Sequence, residues 1–345
     1  MNFIHESALL ARDAEGLFWM ARYLERVENM ARLIDVTQSF ESPGFEAEAW
    51  FGLIRINADE ENFRTRGVTA DAGRVKSFYL LDKGNSTSIP ACLELARTNA
   101  RTLRPLISTE MWKQLNVFHR FVTGITADDL EGDALSRLCT RIREGIQAYT
   151  GIAEGTLYRD LGWYFHELGR YLERADQTTR MLDIKYTAIL PRGEEEKRVA
   201  DLTQWNAVLR VAAGYYHFKR LVRAEFSPQD VVRFLLRDGS APRSVLLCVR
   251  RIESHLGDLH RHYGLASVAE ALERVELLRE FLLEKPLGHI LATGLHEYLD
   301  LVQIHLQELA GAIGRAFFRD WRPTAGVQTQ IQMQMQTQIQ TQVAD

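Results

Sequence analysis

The chain has 345 residues, 46% of them apolar, and a formal net charge of −4 at pH 7. That much apolar material can bury a sizeable core, which excludes a globally disordered chain. The negative balance supplies no net positive field for nucleic acid. The N-terminal "MNFIHESALLARDAEG" lacks a basic start followed by an apolar run, so no secretory signal is read. No uncharged apolar run approaches the roughly 20 residues a bilayer span needs. With only 8 prolines and many Leu, Ala, Arg and Glu residues, the expected fold is all-α.

The first predicted helix carries "ARYLERVENMARLIDV", from Ala21 to Val36. On a wheel of about 100° per residue, Leu17, Met20, Leu24, Val27, Ala31 and Ile34 form an apolar face. Arg22, Glu25, Arg26, Asn29 and Arg32 fall opposite, with Phe18, Met30 and Leu33 intruding on them. A helix with Trp50 in "AWFGLI" follows. Next comes "FYLLDKGNSTSIPACL", in which a helix ends at a Leu-Leu turn and Ser88 caps a new one. Pro90 suits that helix's first turn, where its missing N–H costs nothing. "ARTNARTLRPLISTEMW" spaces Arg97, Arg101 and Arg104 along a helix, with Asn99 nearby. Ser108 and Glu110 then mark another start. "GITADDLEGDA" is turn-rich and acidic, and places a division within 124–150.

The second half opens on "GRYLERADQTTRMLDI", from Gly169 to Ile184, and the earlier phrases return in order. Arg22, Tyr23, Leu24, Glu25 and Arg26 align with Arg170, Tyr171, Leu172, Glu173 and Arg174. Arg32 aligns with Arg180, and Asp35 with Asp183. "QWNAVL" around Trp205 matches the Trp50 helix. "FLLRDGSAPRSVLLCV" sets Phe234, Asp238, Ser244 and Cys248 against Phe78, Asp82, Ser88 and Cys92. The expected architecture is an internally duplicated multi-helix bundle with pseudo-twofold symmetry. Residues 1–150 form the first repeat and 151–325 the second, packed as one domain. "LPRGEEEKR" (190–198) reads as a solvated loop or helix start. Residues 326–345 read as a disordered Gln-rich tail, dispensable for folding.

The repeated Glu–Arg stripe has three readings. A solvated face with routine ion pairs needs no particular residue, so two diverging copies would scramble Arg, Lys and Glu. Retention of Arg rather than Lys points to planar, multi-donor contacts. These could be a buried network fixing the register of the halves, or an Arg-lined cleft for carboxylate or phosphate. The candidate network is Arg22, Glu25, Arg26, Arg32, Arg170, Glu173, Arg174 and Arg180. Arg97, Asn99 and Arg101 recur in one half only and are the candidate anion or ligand site, against a plain basic surface.

Familiar chemistry is missing from the sequence. There is no GxxxxGK(S/T), GxGxxG or GxSxG phrase. Cys92, Cys139 and Cys248 form no CxxC and lack a His pattern that would argue for a nucleophile; they read as reduced, buried thiols of a cytoplasmic protein. His255, His260 and His262 in "HLGDLHRH" are poorly spaced for a metal and read as surface histidines. "LHEYL" is not HExxH. No metal and no cofactor is expected.

"LFWMARYLERVENMARLIDV" resembles the N-terminal signature of the alpha-E family of bacterial helical proteins, named for a Glu-Arg motif. "LLDKGNSTSIPACLELARTNAR" and "STEMWKQLN" resemble later blocks of that family, and the likeness covers residues 7–320. Glu25 and Arg26 match the motif, and Glu173 and Arg174 repeat it. The resemblance implies association with ATP-grasp ligase-like and transglutaminase-like proteins, in a setting of peptide or amide-bond formation or modification. The expected role is a helical accessory or scaffold protein of such a system. The alternative is an enzyme acting on peptide-like substrates, with Glu25 or Glu173 as acid/base in an Arg-lined cleft.

Overall fold

A computed structural model describes residues 9–39, 46–67, 71–187, 204–222 and 227–318. The expected loop at 190–198 and the Gln-rich tail at 326–345 lie outside the described residues. Among those described, the chain is helical and contains no strand.

In the first half the helices are α1 (Ala11–Ser39), α2 (Glu46–Ile56), α3 (Glu60–Arg64), α4 (Ala72–Leu80), α5 (Ile89–Thr102), α6 (Thr109–Thr123) and α7 (Gly132–Thr156). The second half has α8 (Leu161–Thr187), α9 (204–211), α10 (Tyr215–Leu221), α11 (Pro228–Arg237), α12 (Val245–Tyr263), α13 (Ala269–Glu284), α14 (Leu287–Thr293) and α15 (Leu295–Phe317). The expected division at 150/151 falls inside α7, so the junction between the long helices is residues 157–160. The turn-rich "GITADDLEGDA" ends where α7 begins. The α7 stripe of Leu135, Leu138, Ile142, Ile146, Tyr149 and Ala153, all buried, holds it helical.

Two four-helix bundles result. In the first, α1 packs on α5 and α7, and α6 closes the ring between them. In the second, α8 packs on α12 and α15, and α13 closes the ring. Leu17, Met20, Leu24, Val27, Ala31 and Ile34 are all buried, so the apolar stripe of α1 faces the first core as its spacing required. The starts of α5, α6 and α12 are capped as expected. Ser88 accepts from the Ala91 amide, Ser108 from Met111 and Ser244 from Leu247. Ser88 Oγ also donates to the Asp82 carbonyl, and Ser244 Oγ to the Asp238 carbonyl, so the matched loops carry matched bonds.

The bundles join through α1 and α8. Partners advance in the same direction along both helices, from Arg22 with Glu173 to Asn29 with Gln177, so the two run parallel. The backbones meet at Gly169, where an added Cβ would collide with the Phe18 carbonyl. That contact aligns the polar stripes of α1 and α8 face to face.

Candidate functional site: a buried glutamate–arginine seam

Glu173 is fully buried and receives two arginines of α1. Arg26 binds it bidentately, Nε to Oε1 at 2.7 Å and Nη2 to Oε2 at 3.0 Å. Arg22 Nε donates to Oε2 at 2.8 Å. The reverse exchange is made at Glu25, where Arg174 donates through Nε at 2.8 Å and Nη2 at 2.7 Å. Each Glu-Arg pair thus grips the aligned pair of the opposite helix. Asn29 Nδ2 donates to Gln177 Oε1 at 2.7 Å beside them.

The exchange then departs from symmetry. Arg170 aligns with Arg22 but turns to Glu167 on its own helix rather than to Glu25. Its place at Glu25 is taken by Arg243, whose Nη1 donates to Oε1 at 2.9 Å. Arg243 Nη2 also lies 3.0 Å from Glu28 Oε1, which Arg32 holds from four residues along α1. So Arg32 joins the network through Glu28, while Arg180 pairs with Asp176 at 2.8 Å and reaches the Ile56 carbonyl. Arg243 and Glu28 were missed by sequence reasoning. Arg243 aligns with Thr87 and stands in a loop, outside any helical stripe; its only signal was its place just before the Ser244 cap.

The electrostatics follow from this packing. Burial by itself would raise the carboxyl of Glu25, but the charges of Arg174 and Arg243 outweigh it and hold the pKa at about 2. Burial opposes ionisation of Glu173 too, and Arg26 and Arg22 overcome it, keeping its pKa well below the usual carboxylate range. Both glutamates are therefore fixed anions at neutral pH. Two buried thiols flank them. Burial pushes Cys92 up to about 11 despite the Arg26 charge, and Cys248 up to about 12 despite Arg174. Cys139, buried near Asp35, also rises to about 12. None is a thiolate at neutral pH, so none is an activated nucleophile.

The other candidate cluster lies elsewhere. Arg97 turns toward α6, donating to Asn116 Oδ1 at 3.0 Å, and Arg97 and Arg104 lie over the Trp112 ring. Arg101 is exposed and Asn99 half-buried. Among the described residues, no hydrogen bond or ion pair joins Arg97, Asn99 or Arg101 to the seam. Arg97, Arg101, Arg104 and Trp112 form a partly exposed cationic and aromatic face on α5 and α6.

The histidines of α12 separate. His260 and His262 are exposed as expected, but His255 is buried, ringed by Trp163, Tyr164 and Tyr171. Burial lowers its pKa. Near it, a small cavity between α7 and α8 is lined by Thr150, Trp163, His166, Glu167 and Arg170. Glu167 is held at about 2 there: burial would raise it, but the His166 hydrogen bond and the Arg170 charge prevail.

No helix among the described residues is long and apolar enough to cross a membrane. No solved structure matches the chain. It is similar to uncharacterised proteins of Mycobacterium bovis and of two strains of Mycobacterium tuberculosis, each 24% identical over 268 residues. The match takes in 72% of this chain but 30% of each relative, so the chain spans under a third of their length. A family model described as a predicted alpha-helical domain with a conserved ER motif matches residues 9–318. With that match and its two Glu-Arg pairs locked across one seam, the chain belongs to the Alpha-E family.

Proposed function

We propose that the chain is a non-catalytic helical accessory protein, which positions an ATP-grasp-type ligase, or that ligase's peptide substrate, for amide-bond formation or modification. The observation that carries this reading is the closure of the seam. Its two glutamates are saturated by arginines of the opposite helix and of the Arg243 loop, leaving no open, unpaired arginine cleft there. A proton donor must hold its proton near the working pH, and Glu25, at about 2, does not. The alternative of an enzyme using Glu25 or Glu173 as acid/base is correspondingly weakened. The relatives lend support, since their matching unit shares one polypeptide with more than twice its own length of further sequence. A transglutaminase-like protein is a second candidate partner. The buried, protonated thiols suit a reducing compartment, and the cytoplasm is the proposed location. Docking is assigned to the Arg97, Asn99 and Arg101 cluster, which is exposed at Arg101, half-buried at Arg97 and Asn99, and not consumed by the seam.

The test is a pull-down of the ATP-grasp candidate with this chain, followed by an ATP-dependent ligation assay with and without it. Co-purification and activity that requires both proteins are expected, with no ATP hydrolysis by this chain alone. The Arg97→Ala, Arg101→Ala double variant should lose partner-dependent activity and keep its circular dichroism spectrum. Ligation or peptide hydrolysis by the isolated chain would replace this reading with the enzymatic one.

A further inference from the structure

A second group of ionisable side chains lies outside the seam, where α8 meets α15. Asp183 is near the end of α8, and His296 and Asp300 stand one turn apart at the start of α15. His296 Nδ1 is 2.5 Å from Asp183 Oδ1, and its Nε2 is 3.6 Å from Asp300 Oδ2. One ligand atom from each residue can be chosen so that all three lie within 4.8 Å of one another. The side chains of Asp183, His296 and Asp300 are 22%, 40% and 28% exposed, so ions in solution can reach them.

The aligned aspartate of the first half supplies the comparison. Asp35 is met by Arg143 of α7 at 3.3 Å. A guanidinium neutralises a carboxylate but has no lone pair to give a metal. At Asp183 the facing group is an imidazole, the commonest metal-ligating side chain. Four residues on, Asp300 returns a second carboxylate to the same side of the helix. An ion pair alone would call for no more than the arginine that Asp35 has. The added imidazole and carboxylate make a donor set of one nitrogen and two or more oxygens.

We propose that Asp183, His296 and Asp300 form a binding site for a first-row divalent cation of the zinc or manganese class, tying the end of α8 to the start of α15. The imidazole disfavours magnesium and calcium, which take oxygen ligands. Three protein ligands leave at least one coordination position for water, as in an open rather than a closed structural site. Asp183 faces Nδ1 and Asp300 faces Nε2, and one ion takes only one ring nitrogen, so the imidazole must turn as the donors close to bonding distances of about 2.0–2.2 Å. Asp183 and His296 are 113 residues apart, so no short motif could announce the set.

The test is calorimetric titration of the full, tag-free chain, freed of metal by a chelator, with zinc chloride and separately with manganese chloride. One saturable site per chain is expected for at least one of the two. His296→Gln and Asp300→Asn should each weaken it about tenfold or more and keep the circular dichroism spectrum. The His260→Ala, His262→Ala double variant should bind as the unmodified chain does, because that exposed pair is on another helix. Melting with and without the ion gives a second readout: the ion should raise Tm in the unmodified chain and not in His296→Gln. Absence of saturable binding, equal affinity in His296→Gln, or loss of binding in the His260/His262 variant would each overturn the site.

Discussion

Glu173 is held from two sides, and the two arginines that hold it are not equivalent. Arg26 makes two bonds to it and Arg22 makes one. Arg26→Ala is therefore expected to cost about 3 kcal/mol, because it strips a bidentate partner from a buried anion. Arg22→Ala should cost about half as much, the value of one charge-assisted bond. Urea denaturation measures both, and an unchanged midpoint for Arg26→Ala would contradict the burial of the pair. The thiols give a second check at this scale. Cys92, Cys139 and Cys248 are buried and protonated, so a thiol-titrating reagent should find almost none in the native chain and all 3 in denaturant. Rapid labelling of the native protein would show that these sites open. Much of the seam was legible in the sequence, since Arg rather than Lys recurred at Arg22, Arg26 and their counterparts. Arg170 was not, because its turn toward Glu167 depends on which carboxylate lies nearer in space.

Between α1 and α8, Gly169 sets the separation of the backbones. Gly169→Ala puts a methyl group against the Phe18 carbonyl, which belongs to a helix that cannot bend locally. It should force the helices apart and lengthen the Glu–Arg bonds beyond it, costing about 1–3 kcal/mol as overpacking does. Thermal melting reads this, and a stable Gly169→Ala variant would mean the helices are not in such contact. The helix caps are a milder case: Ser88→Ala and Ser244→Ala should each cost about 1 kcal/mol. Local signals of this kind were legible, because a Ser before an apolar run carries its own physical reason. The division between halves was not. Gly145, Gly151 and Gly155 weaken a helix in isolation, yet the buried stripe of α7 outweighs them once the bundle forms.

As a whole, the molecule is two bundles joined by a buried charged seam set among apolar contacts such as Phe18 with Phe318. The buried carboxylates of the seam, and Glu167 beside it, make stability depend on pH in a definite direction. The carboxyls of Glu25 and Glu167 lie at about 2 in the folded chain against an ordinary 4.5. The unfolded chain therefore takes up protons first as the pH falls. Their stabilisation is fully present above pH 4.5 and is lost as the pH falls toward about 2. Melting temperature should decline below pH 5, less steeply in Glu25→Gln, which has lost the titrating group. A flat profile down to pH 3 would contradict it. That the chain is all-α was legible from its composition and from its long stretches without Pro or Gly. That the charged stripes meet each other was open, because a helical wheel shows which residues share a face and not what covers it. The most direct test of this seam is a double-mutant cycle on Arg26 and Glu173, which lie in different bundles. Arg26→Ala, Glu173→Ala and the double variant would be compared by urea denaturation. If the two side chains meet across the seam, the double variant should lose less than the singles summed, by about 1.5 kcal/mol or more. Losses that add to within about 0.5 kcal/mol would show that the two residues do not meet.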